Sequence, residues 1–459
     1  MKNQLPTKRN SGKRIIQAVL VLWLLVCPYL AGAQWVLTGD FDGRMDYMNL
    51  RRTVSDSLNN KLVSGLVTGE LDLAYNRKRW SALVSLFASY TQGTTLFSTK
   101  VPGTLNLTFY QAWARYFFSK YLSVQAGRIE IQYDDERFFE ARDWGGLVTS
   151  HNAVIGHYLI PDTSGMIDIG FAANRFHATP ILFSTDPTVN NYRYLSYLYA
   201  HGRLFDDFLK LTFMDIFNAD DNGLNRYVLY GRNTLGGSTW VTAGDWDINL
   251  SGYYQFGHIN DGRKLSAGYY AAYVAYQPTD WLTLMPAFEH LSGDDFTDSA
   301  EWKKVVHGFS MLYGNMTRSF GNSGVFNLEY RTNLHPGLNN LYFTVTFDIL
   351  DNFSIEASYH WYTLPHPYLR EYVPDSNRIM PVKVPPSLLH QVEVLFSYSP
   401  VPSVALSLDY QLLFPGAGMV NYNGWNFNPG SPVSTAYIEA EWTPLFLPRH
   451  KKKHLVLSP

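Results

Sequence analysis

Thiol chemistry is the first thing missing. Cys27 is the single cysteine in 459 residues, and it lies inside an apolar N-terminal run. Lys8, Arg9, Lys13 and Arg14 precede that run, Ile15 to Leu30 form it, and Ala31-Gly32-Ala33 supplies the small residues of a cleavage site. Residues 1–33 are therefore expected to be a signal peptide, with Val26 too bulky for a lipoprotein site. A mature chain starting at Gln34 excludes disulfides, cysteine nucleophiles and Cys-metal sites. A spanning helix is missing too: the most apolar mature stretch, Ala267 to Tyr276, ends at Gln277-Pro278-Thr279-Asp280, short of the roughly 20 residues a helix needs to cross. Basic excess is absent. Taking the five basic residues of 1–33 from 37 leaves 32 against 39 acidic, a net −7 that argues against a nucleic-acid partner. The histidines are scattered along the chain, and Asp220-Asp221-Asn222-Gly223 lacks the closing Glu of a calcium loop, so neither a metal nor a cofactor is expected.

What is present is alternation. From Val36 to Met48, Thr38, Asp40, Asp42, Arg44 and Asp46 point one way, and Leu37, Phe41, Met45 and Tyr47 the other. A strand with one charged face and one apolar, aromatic face suits a wall between water and lipid. The pattern returns as Ser354, Glu356, Ser358 and His360 against Phe353, Ile355, Ala357, Tyr359 and Trp361, and as Asn327, Glu329, Arg331 and Asn333 against Phe326, Leu328 and Tyr330. Gln391, Glu393 and Ser397, then Ser407, Asp409 and Gln411, then Glu439 and Glu441 continue the polar face. Aromatics make up 16% of the chain, and many fall near the ends of alternating segments, where barrels carry interfacial girdles. The fold expected is an all-β transmembrane antiparallel up-and-down β-barrel over 34–446, in the cell outer membrane, followed by a basic tail, 447–459. Its partners are outer-membrane lipids and lipopolysaccharide outside, and a solute within.

Nineteen candidate strands run from 36–50 to 433–446, among them 151–160, 193–205, 208–218 and 324–334. The faces of 193–205 and 208–218, with Tyr197, Tyr199, Leu211 and Phe213, stay unassigned. Barrels of this kind have even strand numbers and short turns on one side. Nineteen strands place the long Pro365 to Pro386 segment on the short-turn side; adding 305–313 gives twenty and restores the order. Nothing between Gln34 and the first strand is long enough for a separate plug, so a constriction must come from wall side chains or infolded loops.

The densest motif runs Gly127-Arg128-Ile129-Glu130-Ile131-Gln132-Tyr133-Asp134-Asp135-Glu136-Arg137-Phe138, followed by Asp143-Trp144. Gly127 reads as a bulge that swings the following charges inward. This motif, with Glu289-His290-Leu291-Ser292-Gly293-Asp294-Asp295 and Gly308 to Asn315, resembles the alginate-export family of outer-membrane porins. The resemblance implies eighteen strands, which we take over twenty. It also implies a lumen narrowed by Arg128, Asp134, Asp135 and Arg137 that conducts an anionic polysaccharide or smaller anions.

Apart from any family, Arg44, Arg115, Arg128, Arg232 and Arg331 fall on expected lumen faces, with Glu70, Asp72 and Glu130 among the facing acids. Guanidinium groups attract carboxylates and phosphates, and neighbouring acids keep an ion from binding too tightly to leave. An anionic or carbohydrate solute passing by diffusion, with Arg128 and Arg137 near the constriction, is the expected function. A general small-solute porin is one alternative. A binding or structural barrel working through loops 292–304, 365–386 and 415–432 is another. An enzyme is not expected: Ser358 and His360 share a face, but their strand offers no third member of a triad.

Overall fold

The computed structural model describes residues 34–49, 61–93, 105–140, 149–161, 164–174, 192–205, 207–221, 228–297, 303–314, 332–366, 368–373, 378–421 and 431–447, with short pieces at 103, 320–321, 325–326 and 330. Eighteen wall strands are present among them. The first nine are Gln34–Asn49 (β1), Lys61–Arg77 (β2), Trp80–Gly93 (β3), Leu105–Phe117 (β4), Leu122–Ile129 (β5), His151–Leu159 (β6), Met166–Ala173 (β7), Tyr194–Leu204 (β8) and Leu209–Asp221 (β9). The second nine are Leu229–Ala243 (β10), Trp246–His258 (β11), Lys264–Thr279 (β12), Leu282–Leu291 (β13), Leu338–Leu350 (β14), Phe353–Thr363 (β15), Ser387–Val401 (β16), Val404–Pro415 (β17) and Val433–Trp442 (β18). Each pairs antiparallel with the next, and β18 closes on β1 from Phe41↔Trp442 to Asn49↔Ser434. Beyond β18, Leu445–Leu447 adds a short pairing to β1 past a register shift at Leu37/Thr38. Closure removes every free edge, the condition for strands to stand in hydrocarbon.

Strand alternation decides what faces where. Arg44 is 6% exposed and its neighbour Met45 61%, because one points into the barrel and the other out. The same holds for Thr68 against Val67, Thr212 against Phe213, and Gln411 against Tyr410. The two strands left unassigned in sequence follow suit: Tyr197 and Tyr199 are buried inside, and Leu211 and Phe213 face out. An outward skin of large apolar side chains fits a bilayer and does not fit water. At the short-turn end the aromatics meet across strands as pairs. Trp80–Tyr116, Trp246–Tyr276 and Phe41–Trp442 have ring centroids 4.6, 4.3 and 5.5 Å apart, forming the girdle level of the wall.

The late strand expectations need correction. β13 pairs directly with β14, from Leu282↔Phe347 to Leu291↔Leu338, so 292–337 has no place in the wall. The expected strand 324–334 is not one in its described residues, where Phe326, Tyr330 and Asn333 are buried; Asn327, Glu329 and Arg331 lie outside the described residues. Of 305–313 only Val305–Val306 is extended, and it lies parallel to Lys264–Leu265 of β12. Both segments alternate because they fill a packed interior, not because they meet lipid. Removing 324–334 gives the even number and puts the Leu350–Phe353 turn on the short-turn side without needing 305–313. Phe309, Met311, Tyr313, Phe326 and Tyr330 join Phe138 and Phe139 in a buried apolar core inside the barrel.

Candidate functional site

Two infolded segments shape the lumen, and both begin at motifs visible in the sequence. The first, 130–140, leaves β5 through a tight turn in which the Glu136 amide donates to the Tyr133 carbonyl at 2.9 Å, with Asp134 and Glu136 at φ +49° and +60°. Its charges are tied to the wall. Asp134 accepts from the Tyr199 hydroxyl and Lys210 Nζ, both at 2.9 Å. Arg137 bridges Asp135 at 2.9 Å and Glu289 at 2.6 Å, and the Tyr269 hydroxyl donates to the same Glu289 oxygen at 3.0 Å. Burial works against the Arg137 charge, but Asp135 and Glu289 overcome it and hold the guanidinium protonated well above its ordinary range. Tyr133 donates to Asp168 at 2.7 Å, and His157 meets the other Asp168 oxygen at 2.8 Å.

The second segment, formed by the described residues of 292–337, is stitched in by amides. Gln255, inward on β11, donates to the Ser310 carbonyl at 2.7 Å and accepts the Ser310 amide at 2.9 Å, so a side-chain amide pairs both backbone groups of Ser310. Asn333 donates to the Gly308 carbonyl at 2.6 Å and accepts a hydrogen bond from Arg232, whose Nε also donates to Asn218 at 3.1 Å. His335 is buried with both ring nitrogens used: Nε2 on the Phe309 carbonyl at 2.9 Å, and Nδ1 accepting the Gly337 amide at 3.0 Å. That neutral tautomer leaves no room for a second proton, and burial lowers the imidazole pKa to about 4. Asp294 caps the His307 amide at 2.7 Å. The two segments meet in a parallel bridge between Phe139 and Tyr313, where the Tyr313 amide donates to the Phe138 carbonyl and the Glu140 amide to the Tyr313 carbonyl, both at 3.1 Å. Only glycine fits at 314, because a Cβ there would lie 1.9 Å from the Arg137 carbonyl oxygen.

The expected lining residues divide accordingly. Arg232 and Arg137 are struts holding infolded chain, as are Asp134 and Asp135 through their partners. Arg44 lies over the Tyr437 ring at 4.2 Å and donates to Asp46. Glu130 accepts from Gln111 at 2.8 Å, and Gln111 accepts from Trp113 at 3.0 Å. Arg115 is different. Its Nε donates to Ser123 at 2.9 Å and its guanidinium lies 5.1 Å from the Phe117 ring, with no carboxylate in ion-pair distance among the described residues.

The bulge expected at Gly127 is not there. Pairing runs without a shift through Trp113↔Gly127 and Gly127↔Ala153, and the glycine instead takes φ +138°. Arg128 thus stands opposite Ala112 and Asn152, both exposed, and its Nε donates to the Tyr110 carbonyl at 3.2 Å. Arg331 and Asp143-Trp144 lie outside the described residues.

Sequence reading missed Lys210, Gln255, Tyr269 and His335. Gln255 sits at an inward position of a legible strand, but nothing local marks its partner 55 residues away. The Ser358/His360 pair carries no relay: His360 Nδ1 meets Asn340 at 3.1 Å, and its ring stacks on Tyr342. Asp220 accepts from Asn218 at 3.1 Å and lies beside Arg232, while Asn222-Gly223 falls outside the described residues. Of the proposed working loops, 292–297 bends inward, and Tyr368–Val373 pairs with Arg378–Lys383 as a hairpin.

No protein-family model and no curated protein matches the sequence. Solved structures do. Pseudomonas aeruginosa OccK2 (OpdF) in complex with glucuronate is 12% identical, with TM-score 0.56, over 90% of this chain and 98% of its own. Pseudomonas aeruginosa OpdK with vanillate is 11% identical, with TM-score 0.57, over 89% and 99%. Acinetobacter baumannii OccAB1 is 9% identical, with TM-score 0.59, over 89% and 97%. These likenesses, over nearly the whole chain, establish the fold as the closed eighteen-stranded barrel of outer-membrane porins.

Proposed function

We propose that this chain is an outer-membrane porin for passive diffusion of small anionic solutes, with lipid and lipopolysaccharide against its apolar wall. The observation that carries the reading is Arg115, a lumen guanidinium with spare donors, where the lumen arginines Arg44, Arg137 and Arg232 are committed to partners. A fixed fork of N–H groups in a polar passage attracts a carboxylate and releases it to the next polar site. The solutes seen with OccK2 and OpdK, glucuronate and vanillate, are both small carboxylates, which supports the same class here. A polysaccharide, as the alginate-export resemblance implies, needs an unobstructed track. Two infolded segments with a shared apolar core favour the smaller solute. Reversal potentials across planar bilayers test the reading: anion preference is expected, and its weakening in Arg115→Ala. Equal permeability to anions and cations in the wild type overturns it. Liposome uptake of a monomeric uronate against an oligomer of the same sugar separates the two solute sizes, and oligomer uptake as fast as monomer restores the polysaccharide reading.

A further inference from the structure

The outward face of the wall carries almost no charge, and the exception has a definite place. Away from the strand ends, Asp215 is the only outward-facing Asp, Glu, Lys or Arg among the described residues. It lies at the middle of β9 and alternates with the exposed Phe213 and Phe217, while Met214 and Ile216 are buried inside. Its cross-strand neighbours are Leu198 on β8 and Leu235 on β10, so apolar side chains surround it. Ser196 and Asn233 stand opposite Phe217 from the two flanking strands, one diagonal from Asp215 on either side. Neither they nor Asp215 makes a side-chain hydrogen bond or ion pair among the described residues. Three polar groups thus share one patch at mid-wall, where acyl chains offer neither donor nor acceptor.

We propose that this β8–β10 face is where two copies of the chain meet, with Asp215 of each accepting hydrogen bonds from Asn233 or Ser196 of the other. The patch is self-complementary, holding an acceptor and donors together, which is what a two-fold interface requires. A two-fold axis along the membrane normal keeps every residue at its own depth. The donors flank Asp215 from both sides, so a strand tilt in either direction brings one of them towards its level. A lipid covering the patch leaves all three groups unsatisfied, and an unrelated protein would need a matching set at the same depth. The inference does not depend on which solute passes.

Single-cysteine cross-linking in native outer membranes tests it, with Cys27→Ser as the background. Leu235→Cys is expected to give a disulfide-linked dimer under mild oxidation, and Ile438→Cys, outward on β18, none. Adding Asp215→Leu should lower the Leu235→Cys dimer about tenfold, as losing one desolvated hydrogen-bonded acceptor would. Heat-modifiable migration on gels confirms that each variant is folded. Three results overturn the proposal: no cross-link at position 235, equal cross-linking at 235 and 438, or a product whose mass shows a different protein. Unchanged dimer with Asp215→Leu in a folded barrel also overturns it, whatever the conductance.

Discussion

Two halves of the lumen keep their polar groups in order by different means. On β17, β18, β1 and β2, side chains are held by neighbours on the same or adjacent strands. Arg44 takes Asp46 two residues on, Gln411 takes Asp409 two residues back, and Ser85 on β3, opposite Asp72, donates diagonally across the ladder to Glu70 at 2.5 Å. On β7 to β14 the partners are infolded chain. Lys210 meets Asp134, Arg232 meets Asn333, Gln255 meets Ser310 and Glu289 meets Arg137. The first half is a wall held by short-range contacts along its own strands. The second is a scaffold that is complete only when 130–140 and 292–337 have docked, and so it behaves like the core of a soluble domain.

The contrast breaks most visibly at Arg137. Arg137→Ala strands Glu289, 3% exposed, without its cation, and losing one partner of a buried pair costs roughly 3–5 kcal/mol. The expected outcome is a loosened plug with higher, noisier single-channel conductance and faster protease nicking in 130–140. The double variant Arg137→Ala, Glu289→Gln should recover part of the loss. The matching change in the other half, Gln411→Ala, should leave conductance noise as it is in the wild type.

Acid should separate the halves next. The His335 pKa is lowered to about 4 in the folded chain from an ordinary 6.5, so the neutral imidazole is the form the plug holds. Its contribution is fully present above 6.5 and is lost as pH falls towards 4, amounting to about 3 kcal/mol at the lower limit. Conductance noise rising between pH 6.5 and 4 in the wild type and absent from His335→Gln is the expected result. An identical pH response in both would assign the effect to another group.

Gln255→Leu removes both bonds to Ser310 and leaves a buried amide and carbonyl unpaired, at roughly 1–3 kcal/mol. Amide exchange of 308–314 should quicken while the wall strands stay protected. The smallest effect is electrical: Arg115→Ala should shift the reversal potential towards cations and leave thermal stability unchanged within about 0.5 kcal/mol.

The wall was legible because its rule is local. Arg44, Glu70, Gln391 and Asp409 were assigned inward from alternation alone, and the structure buries each of them inside. The error at 324–334 comes from the same rule, since Phe326 and Tyr330 alternate with polar residues whether lipid or a packed interior receives them. Gly127 misled for a related reason: a glycine in a strand signals an unusual φ, and whether that φ comes with an extra residue is set by the partner strands. The roles of Arg137 and Arg232 as struts had no local signal at all.

Sequence alone determined a closed wall of alternating strands, because side-chain direction along a strand depends only on the parity of position, and a two-faced strand demands two solvents. Tertiary structure decided what fills that wall. The bonds that fix the lumen join residues 55, 76 and 101 positions apart, and such pairs become neighbours only once the barrel has curved each strand round to face the chain folded inside it.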